Sequence, residues 1–429
     1  MIDYRLRKVA RAAIVVGLAA AITSTVSGGT VISGTMLADT VSTRTVLTPP
    51  ACTNDVASAP SLPGIRPSTL PVPGMPFGTA ILPGGRYAVV AVENIPGSSV
   101  ALLALGSGKP RLVRTVPLPS APGGAALAAG LAISHNGRYL AVTQSDFATT
   151  VLSVAKLLSG ASDPVLGELK DVAVGRIEAA FSADDRYLFV SDEYSNALSV
   201  FDLARALRAG FSAPGVAVGQ VRLAPTVVGS VLSPDGRYLY ATSEAASNAN
   251  SGNGLLQVVD VARAERHPAA SVVAAVDAGC QPVRVALSGH GAVAWVTARG
   301  SDALLAFSTA ELRTNPKHAL LADVRVGPQP VGVVLTDGGR FALTADSARF
   351  TAPNAPQTVS VVDTRAALAG RRALAGTIPA GMFPRELSYD PLSGDVVLSN
   401  YLSRNVEVFR FRPPAGPSVL AGATVSAGR

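Results

Sequence analysis

The chain has 429 residues, 48% of them hydrophobic and only 15% charged, with 41 Gly and 31 Pro. That is too apolar for a disordered chain, and so much Gly and Pro favours short elements joined by tight turns over long helices. The formal charge of +7 comes from 36 basic and 29 acidic residues; with no basic run and no basic stripe interleaved with aromatics, a nucleic-acid partner is not expected.

The chain opens on a targeting pattern. Arg5, Arg7, Lys8 and Arg11 precede an apolar stretch at 12–22, and Thr, Ser and Gly follow. That stretch is too short to span a bilayer, which takes about 20 residues, but it suits a signal peptide. A signal over 1–26 is expected, with cleavage at Ala19-Ala20-Ala21 or at Val26-Ser27-Gly28. The alternative is an uncleaved anchor. The protein is then exported (secreted, at the cell surface or periplasmic), with no transmembrane domain after cleavage.

Residues 27–67 read as a Thr/Ser/Pro-rich linker. It holds Cys52, and the only other cysteine is Cys280. In an exported protein an even pair argues for one disulfide, two unrelated thiols being the alternative.

From residue 69 to 411 one phrase recurs: a short apolar strand, an Asp/Gly-rich turn, an Arg-aromatic pair and a second apolar strand. It stands as ILPGGRYAVVAV (81–92), ISHNGRYLAVTQ (133–144), FSADDRYLFVSD (181–192), LSPDGRYLYATS (232–243) and LTDGGRFALTAD (335–346). LSGHGAVAWVTA (287–298) and YDPLSGDVVLSN (389–400) are weaker copies. Anchored on Arg86, Arg138, Arg186, Arg237, Ala292, Arg340 and Gly394, the seven copies recur at about 50 residues, a period that marks repeat architectures.

Each copy supplies four strands: a before the turn, b after the Arg, c after a polar loop and d as the next β-branched run. Strand c is clearest in Ala197-Leu-Ser-Val-Phe-Asp202, Leu255-Leu-Gln-Val-Val-Asp260 and Thr358-Val-Ser-Val-Val-Asp363. Repeated four-stranded units of this length predict an all-β, seven-bladed β-propeller of antiparallel blades over 68–412. The tail at 413–429 has no fourth strand and reads as flexible, whereas 68–74 matches the d-strand phrase. That N-terminal strand is expected to complete the last blade and remove an open edge.

The segment YLFVSDEYSNALSVFDLA (187–204), with VRVGPQPVGVVLTDGGR (324–340), resembles the YVTN-repeat propellers of the YncE-like and lactonase-like superfamily. Phe189-Val-Ser-Asp192, Tyr240-Ala-Thr-Ser243, Trp295-Val-Thr-Ala298 and Val397-Leu-Ser-Asn400 stand where the Tyr-Val-Thr-Asn signature belongs. The resemblance implies the fold, but the superfamily holds many functions.

This topology puts the a–b turns and c–d connections at one end of the ring. The d–a and b–c loops gather at the other, around the channel mouth. All four histidines, His135, His267, His290 and His318, fall at the first end. Eight residues before each anchor the copies read Gly78, Gly130, Glu178, Gly229, Arg284, Gly332 and Glu386, with Arg176 and Arg385 close by. Seven converging strands favour small residues here. The charged ones form either a structural ion-pair ring or a ligand-contacting cluster, because an unpaired charge in a crowded channel costs several kcal/mol. The b–c loops add Asp192, Glu193, Glu244, Arg299 and Asp346, and two of them are long, at 243–254 and 346–357. The expected binding set at the mouth is therefore Arg176, Glu178, Arg284, Arg299, Arg385 and Glu386.

Phosphate loop, nucleophile elbow, His-Glu-x-x-His and Cys-x-x-Cys-His patterns do not occur in the sequence, so no cofactor, metal or catalytic set is expected. The leading reading is a binding scaffold, expected to be monomeric, that holds a protein, peptide or glycan at the mouth. The alternative, which the resemblance suggests, is a lactonase-like hydrolase or isomerase. In it Arg284 and Arg385 would hold a substrate carboxylate, and Glu178 or Glu386 would act as base.

Overall fold

The computed structural model describes residues 46–413 apart from 95–96, 107–108, 121–125, 146, 248–251 and 356. The expected signal at 1–26, the linker as far as 45 and the tail from 414 lie outside the described residues.

Seven four-stranded antiparallel sheets form the blades. Their innermost strands are Met75–Ile81, Ala128–Ile133, Arg176–Phe181, Val227–Leu232, Pro282–Leu287, Pro330–Thr336 and Pro384–Tyr389, and each touches the next in a closed circuit. Six blades are contiguous in sequence. The seventh takes three strands from the C-terminal side and its outermost, Ser68–Pro71, from the N-terminal side, with Ser68 opposite Val408 and Pro71 opposite Asn405. The ring closes through that strand.

Burial peaks in the two middle strands of each blade and falls towards its outer edge. Middle strands such as Tyr87–Glu93 and Ser99–Ala104 are buried almost throughout, because neighbouring blades cover both faces. They read as unbroken apolar runs for that reason. The outermost strand of the same blade, Arg111–Pro117, regains exposed positions.

The hydroxyl in the recurring signature joins one blade to the next. Thr143, Ser191, Thr242, Thr297 and Ser399 each accept a backbone N–H from their own innermost strand, at 2.8–3.1 Å. Each also donates to a carbonyl of the following blade (Ile177, Val228, Val283, Val331 and Phe77), at 2.6–3.5 Å. Blades 1 and 6 carry Ala91 and Ala345 at this position. Five of the seven junctions are thus fastened by one side chain of the repeat.

The c–d connections differ from the loops expected from sequence. Short helices stand there at Val154–Ser159, Leu203–Ala209, Val261–Ala264, Glu311–Thr314 and Thr364–Leu368. The Ser or Asp that ends strand c is also the N-cap: Ser153, Asp202, Asp260 and Asp363 each accept a backbone N–H from the first turn. A capping oxygen satisfies one of the N–H groups a helix start leaves open, so one residue ends the strand and begins the helix.

Residues 46–67 run as an extended strap. Cys52 is disulfide-bonded to Cys280 in blade 4. The Thr53 N–H donates to Gly300 O and the Ala57 N–H to Val326 O, both beside blade 5. The Leu62 N–H donates to Thr377 O in blade 6, and the Thr377 N–H returns a bond to Pro60 O. The strap then passes into Ser68–Pro71 at the seam.

Candidate functional site

Every innermost strand carries a register shift near its start, as between Val227 and Gly229 or Pro282 and Val285. A regular strand sends consecutive side chains to opposite faces, and a bulge breaks that alternation and re-aims them. Val283 and Arg284, adjacent in sequence, accordingly border the same cavity.

Around the axis, Gly78, Gly130, Gly229 and Gly332 stand on blades 1, 2, 4 and 6, and Glu178, Arg284 and Glu386 on blades 3, 5 and 7. A Cβ on Gly130, Gly229 or Gly332 would lie 2.4, 2.3 or 2.5 Å from the carbonyl oxygen of Ile177, Val283 or Arg385. The close approach of the next backbone holds these positions to glycine. Each charged blade follows one whose missing side chain lets it close in.

Arg284 is a strut across the channel. Its Nη2 lies 2.6 Å from Glu386 Oε1 and its Nε 3.5 Å from Glu178 Oε2, and its Nη1 donates to Val228 O at 2.9 Å. Glu178 Oε2 also accepts the Ser230 N–H at 3.1 Å. Burial raises the Glu178 carboxyl to about 7, against the pull of Arg284 and with a push from Glu386. Burial works against the Arg284 charge too, but Glu386 and Glu178 outweigh it and hold the guanidinium above its ordinary value.

Above the strut is a cavity of about 230 Å³, bordered by Ile177, Val228, Val283 and Val331 together with Glu193, Glu244, Arg284, Arg299, Arg349, Phe350 and Arg385. Arg299 pairs with Glu244 at 2.8 Å and lies 5.2 Å from the centre of the Phe350 ring. Arg349 lies 5.0 Å from the same ring and 5.3 Å from that of Phe383. Arg385 stacks 3.4 Å from the Phe77 ring centre, with Phe383 and Tyr401 at 5.3 and 5.8 Å. Burial, reinforced by Arg284, lowers Arg385 to about 10. Among the described residues neither Arg349 nor Arg385 has a carboxylate within ion-pair distance, and Nε of Arg385 is buried without a hydrogen-bond partner. Aromatic faces, which attract cations through their quadrupole, stack on both guanidinium groups, and the buried Glu93, which accepts from the Tyr401 hydroxyl, acts on both from beyond ion-pair distance.

Of the residues expected at the mouth, Arg284, Arg299 and Arg385 border the cavity, and Glu178 and Glu386 lie behind, bound to Arg284. Arg176 is turned away from it: the side chain is buried against Asp171 and donates to Ala173 O at 2.8 Å. Asp171 in turn accepts from Ser199, which contacts Asp192 at 2.6 Å. Asp192 and Asp346 end their b strands, and their side chains fold back into their own blades rather than standing in the loops. Arg349, Phe350, Glu193 and Glu244 complete the walls. The sequence marks them only as loop residues at the right end. None of the four histidines borders the cavity; His135 contacts Asp185 at 3.0 Å, and His290 borders a cleft with Pro234 and Asp235 in the a–b turns. Among the described residues no cluster of three His, Cys, Asp or Glu is set to hold a metal ion.

No protein-family model and no curated protein matches the chain. Among solved structures, the chain is similar to Kuenenia stuttgartiensis hydrazine synthase, with 17% identity and a TM-score of 0.60 over 78% of this chain and 95% of that one. Solved chains that match number 1466, and likeness spread so widely at such identity carries the fold alone. The chain is a seven-bladed β-propeller.

Proposed function

We propose that the protein is an exported propeller of the YVTN-repeat type that works as a binding module, using the end of the ring where the cavity opens. One observation carries this reading: Arg284 and Arg299 are neutralised by carboxylates of the protein, whereas among the described residues Arg349, Arg385 and Glu193 have no opposite charge within ion-pair distance at the opening. Charge held partly out of water without a counter-charge is costly, and a ligand that supplies the counter-charge is stabilised there. The rim agrees. Val172 and Tyr194 beside blade 3 and Phe350 on blade 6, on loops of this end, are 92%, 65% and 62% exposed, and apolar groups set around an opening offer a partner surface to bury.

The blade-joining hydroxyls support the YVTN assignment, since they occupy the Thr position of the signature. Export is supported by the N-terminal pattern and by a disulfide of the kind that oxidising compartments keep. No helix among the described residues is long and apolar enough to cross a membrane.

The partner is a protein, peptide or glycan of the cell envelope. Capture from envelope extracts with the secreted protein tests this: Phe350→Ala and Tyr194→Ala are expected to lose partners that Leu392→Ala, in an a–b turn, retains. Loss with Leu392→Ala alone would overturn it.

Two carboxyls on the Arg284 strut, Glu178 and Glu386, favour a second reading, a lactonase-like hydrolase or isomerase: burial holds Glu178 above its ordinary value, which suits general-base work. A panel of lactones decides it. Absence of turnover, or turnover unchanged in both Glu178→Gln and Glu386→Gln, removes the enzyme.

A further inference from the structure

The unpaired charges at the cavity are sorted by side. Glu193 belongs to blade 3, with Glu244, already paired to Arg299, beside it on blade 4; Arg349 and Arg385 belong to blades 6 and 7, with Glu93 of blade 1 acting on them only from beyond ion-pair distance. In a ring of seven, blade 3 faces the junction of blades 6 and 7. The cavity therefore has an anionic wall facing a cationic one. Both are electrostatically coupled: burial and Glu244 hold Glu193 above the usual carboxylate range, while Arg385, Arg299 and Arg349 pull it down. Below them Ile177, Val228, Val283 and Val331 form an apolar collar with Phe383 and Tyr401. At about 230 Å³ the space is smaller than the roughly 300–1,000 Å³ of pockets for drug-sized ligands.

We propose that this cavity binds a small zwitterion of the α-amino-acid class with an apolar side group. The ligand's carboxylate lies on the guanidinium groups of Arg349 and Arg385, its ammonium on Glu193, and its side group on the valine collar. A plain carboxylate would leave Glu193 without a counter-charge in contact, and a plain amine would leave both arginines so; a molecule carrying both charges satisfies both walls. Arg385 suits the role because Phe77, Phe383 and Tyr401 fix its position before any ligand arrives, and preorganised groups lose less freedom on binding. This inference rests on the reading of this end as the binding face.

Calorimetric titration of the full chain with L-leucine, N-acetyl-L-leucine, L-leucine methyl ester and isovalerate tests it. Leucine is expected to bind, and each of the three analogues, which lack one of its two charges, to bind at least about tenfold more weakly. Glu193→Gln is expected to remove the preference for leucine over N-acetyl-leucine, whereas Arg349→Gln weakens both. Arg349 is exposed, so that variant keeps the fold, and thermal melts check both proteins. Equal affinity for leucine and N-acetyl-leucine overturns the proposal, as does a leucine preference unchanged in Glu193→Gln or no binding of leucine. If leucine fails to bind while Phe350→Ala still loses envelope partners, the ligand class is wrong and the binding face stands. If both fail, the face is wrong as well.

Discussion

Asp346 is a carboxyl with no cation beside it. It ends Phe341–Asp346, is wholly buried, and accepts hydrogen bonds from the hydroxyls of Thr344, Thr358 and Ser360 at 2.8, 3.0 and 2.7 Å. Burial nevertheless raises it to about 7. Asp192 stands at the same place in blade 3 and is raised to about 7 for the same reason. Both folded values lie above the unfolded one of about 3.9. The protonated carboxyls therefore contribute stability in full below about pH 4, and the contribution is lost as pH rises through about 7. The melting temperature is expected to fall between pH 5 and pH 8, each group contributing a slope of up to about 1.4 kcal/mol per pH unit. Asp346→Asn should flatten the profile by one group's share. A wild-type profile that is level across this range would exclude the assignment.

At the scale of the element, the hydroxyl that spans two blades sets the strength of each junction. Replacing Thr297 or Thr242 by Val keeps the shape but leaves the Arg284 or Gly229 N–H buried without a partner. Each substitution is expected to cost about 1–3 kcal/mol in denaturant unfolding. A cost near zero for both would show that the junctions hold by packing alone. The blades themselves were legible in the sequence because their signal is local: an Asp-Gly turn, an Arg-aromatic pair and a fixed period. The cap helices were not, since an Asp that ends an apolar run reads as a strand end until its oxygen is seen on the next turn's N–H. The bulges are equally silent, because they arise where seven strands crowd one axis. The same limit governed the site. Position along the repeat located Arg284, Glu178 and Glu386 and offered an ion-pair ring as one reading, but the choice between that and a ligand site, the turning-in of Arg176 and the arrival of Arg349 depend on contacts between blades far apart in sequence.

At the scale of the molecule, the disulfide and the strap hold the seam shut. Cys52 lies on the segment that leads into Ser68–Pro71, and its partner is on blade 4, with a sequence separation of 228 residues. Closing a loop of that length stabilises the fold by roughly 5 kcal/mol in the chain-entropy description. The double variant Cys52→Ser/Cys280→Ser is therefore expected to unfold at clearly lower urea concentration. Hydrogen exchange should rise first at 53–62 and 68–71, while the innermost strands stay protected. A uniform rise over all blades would show that the bridge steadies the whole ring rather than its join.

The composite seventh blade also fixes an order of events. Among the described residues its outer strand precedes every other strand, and the edge that receives it, Asn405–Arg410, is the last strand. Such a pairing carries a high loop-closure cost and is slow. Until it forms, an uncovered edge offers itself to any matching strand, including that of a second copy. A crowded refolding mixture should therefore yield exchanged pairs of rings, each completed by its neighbour's first strand, in a proportion that grows with concentration.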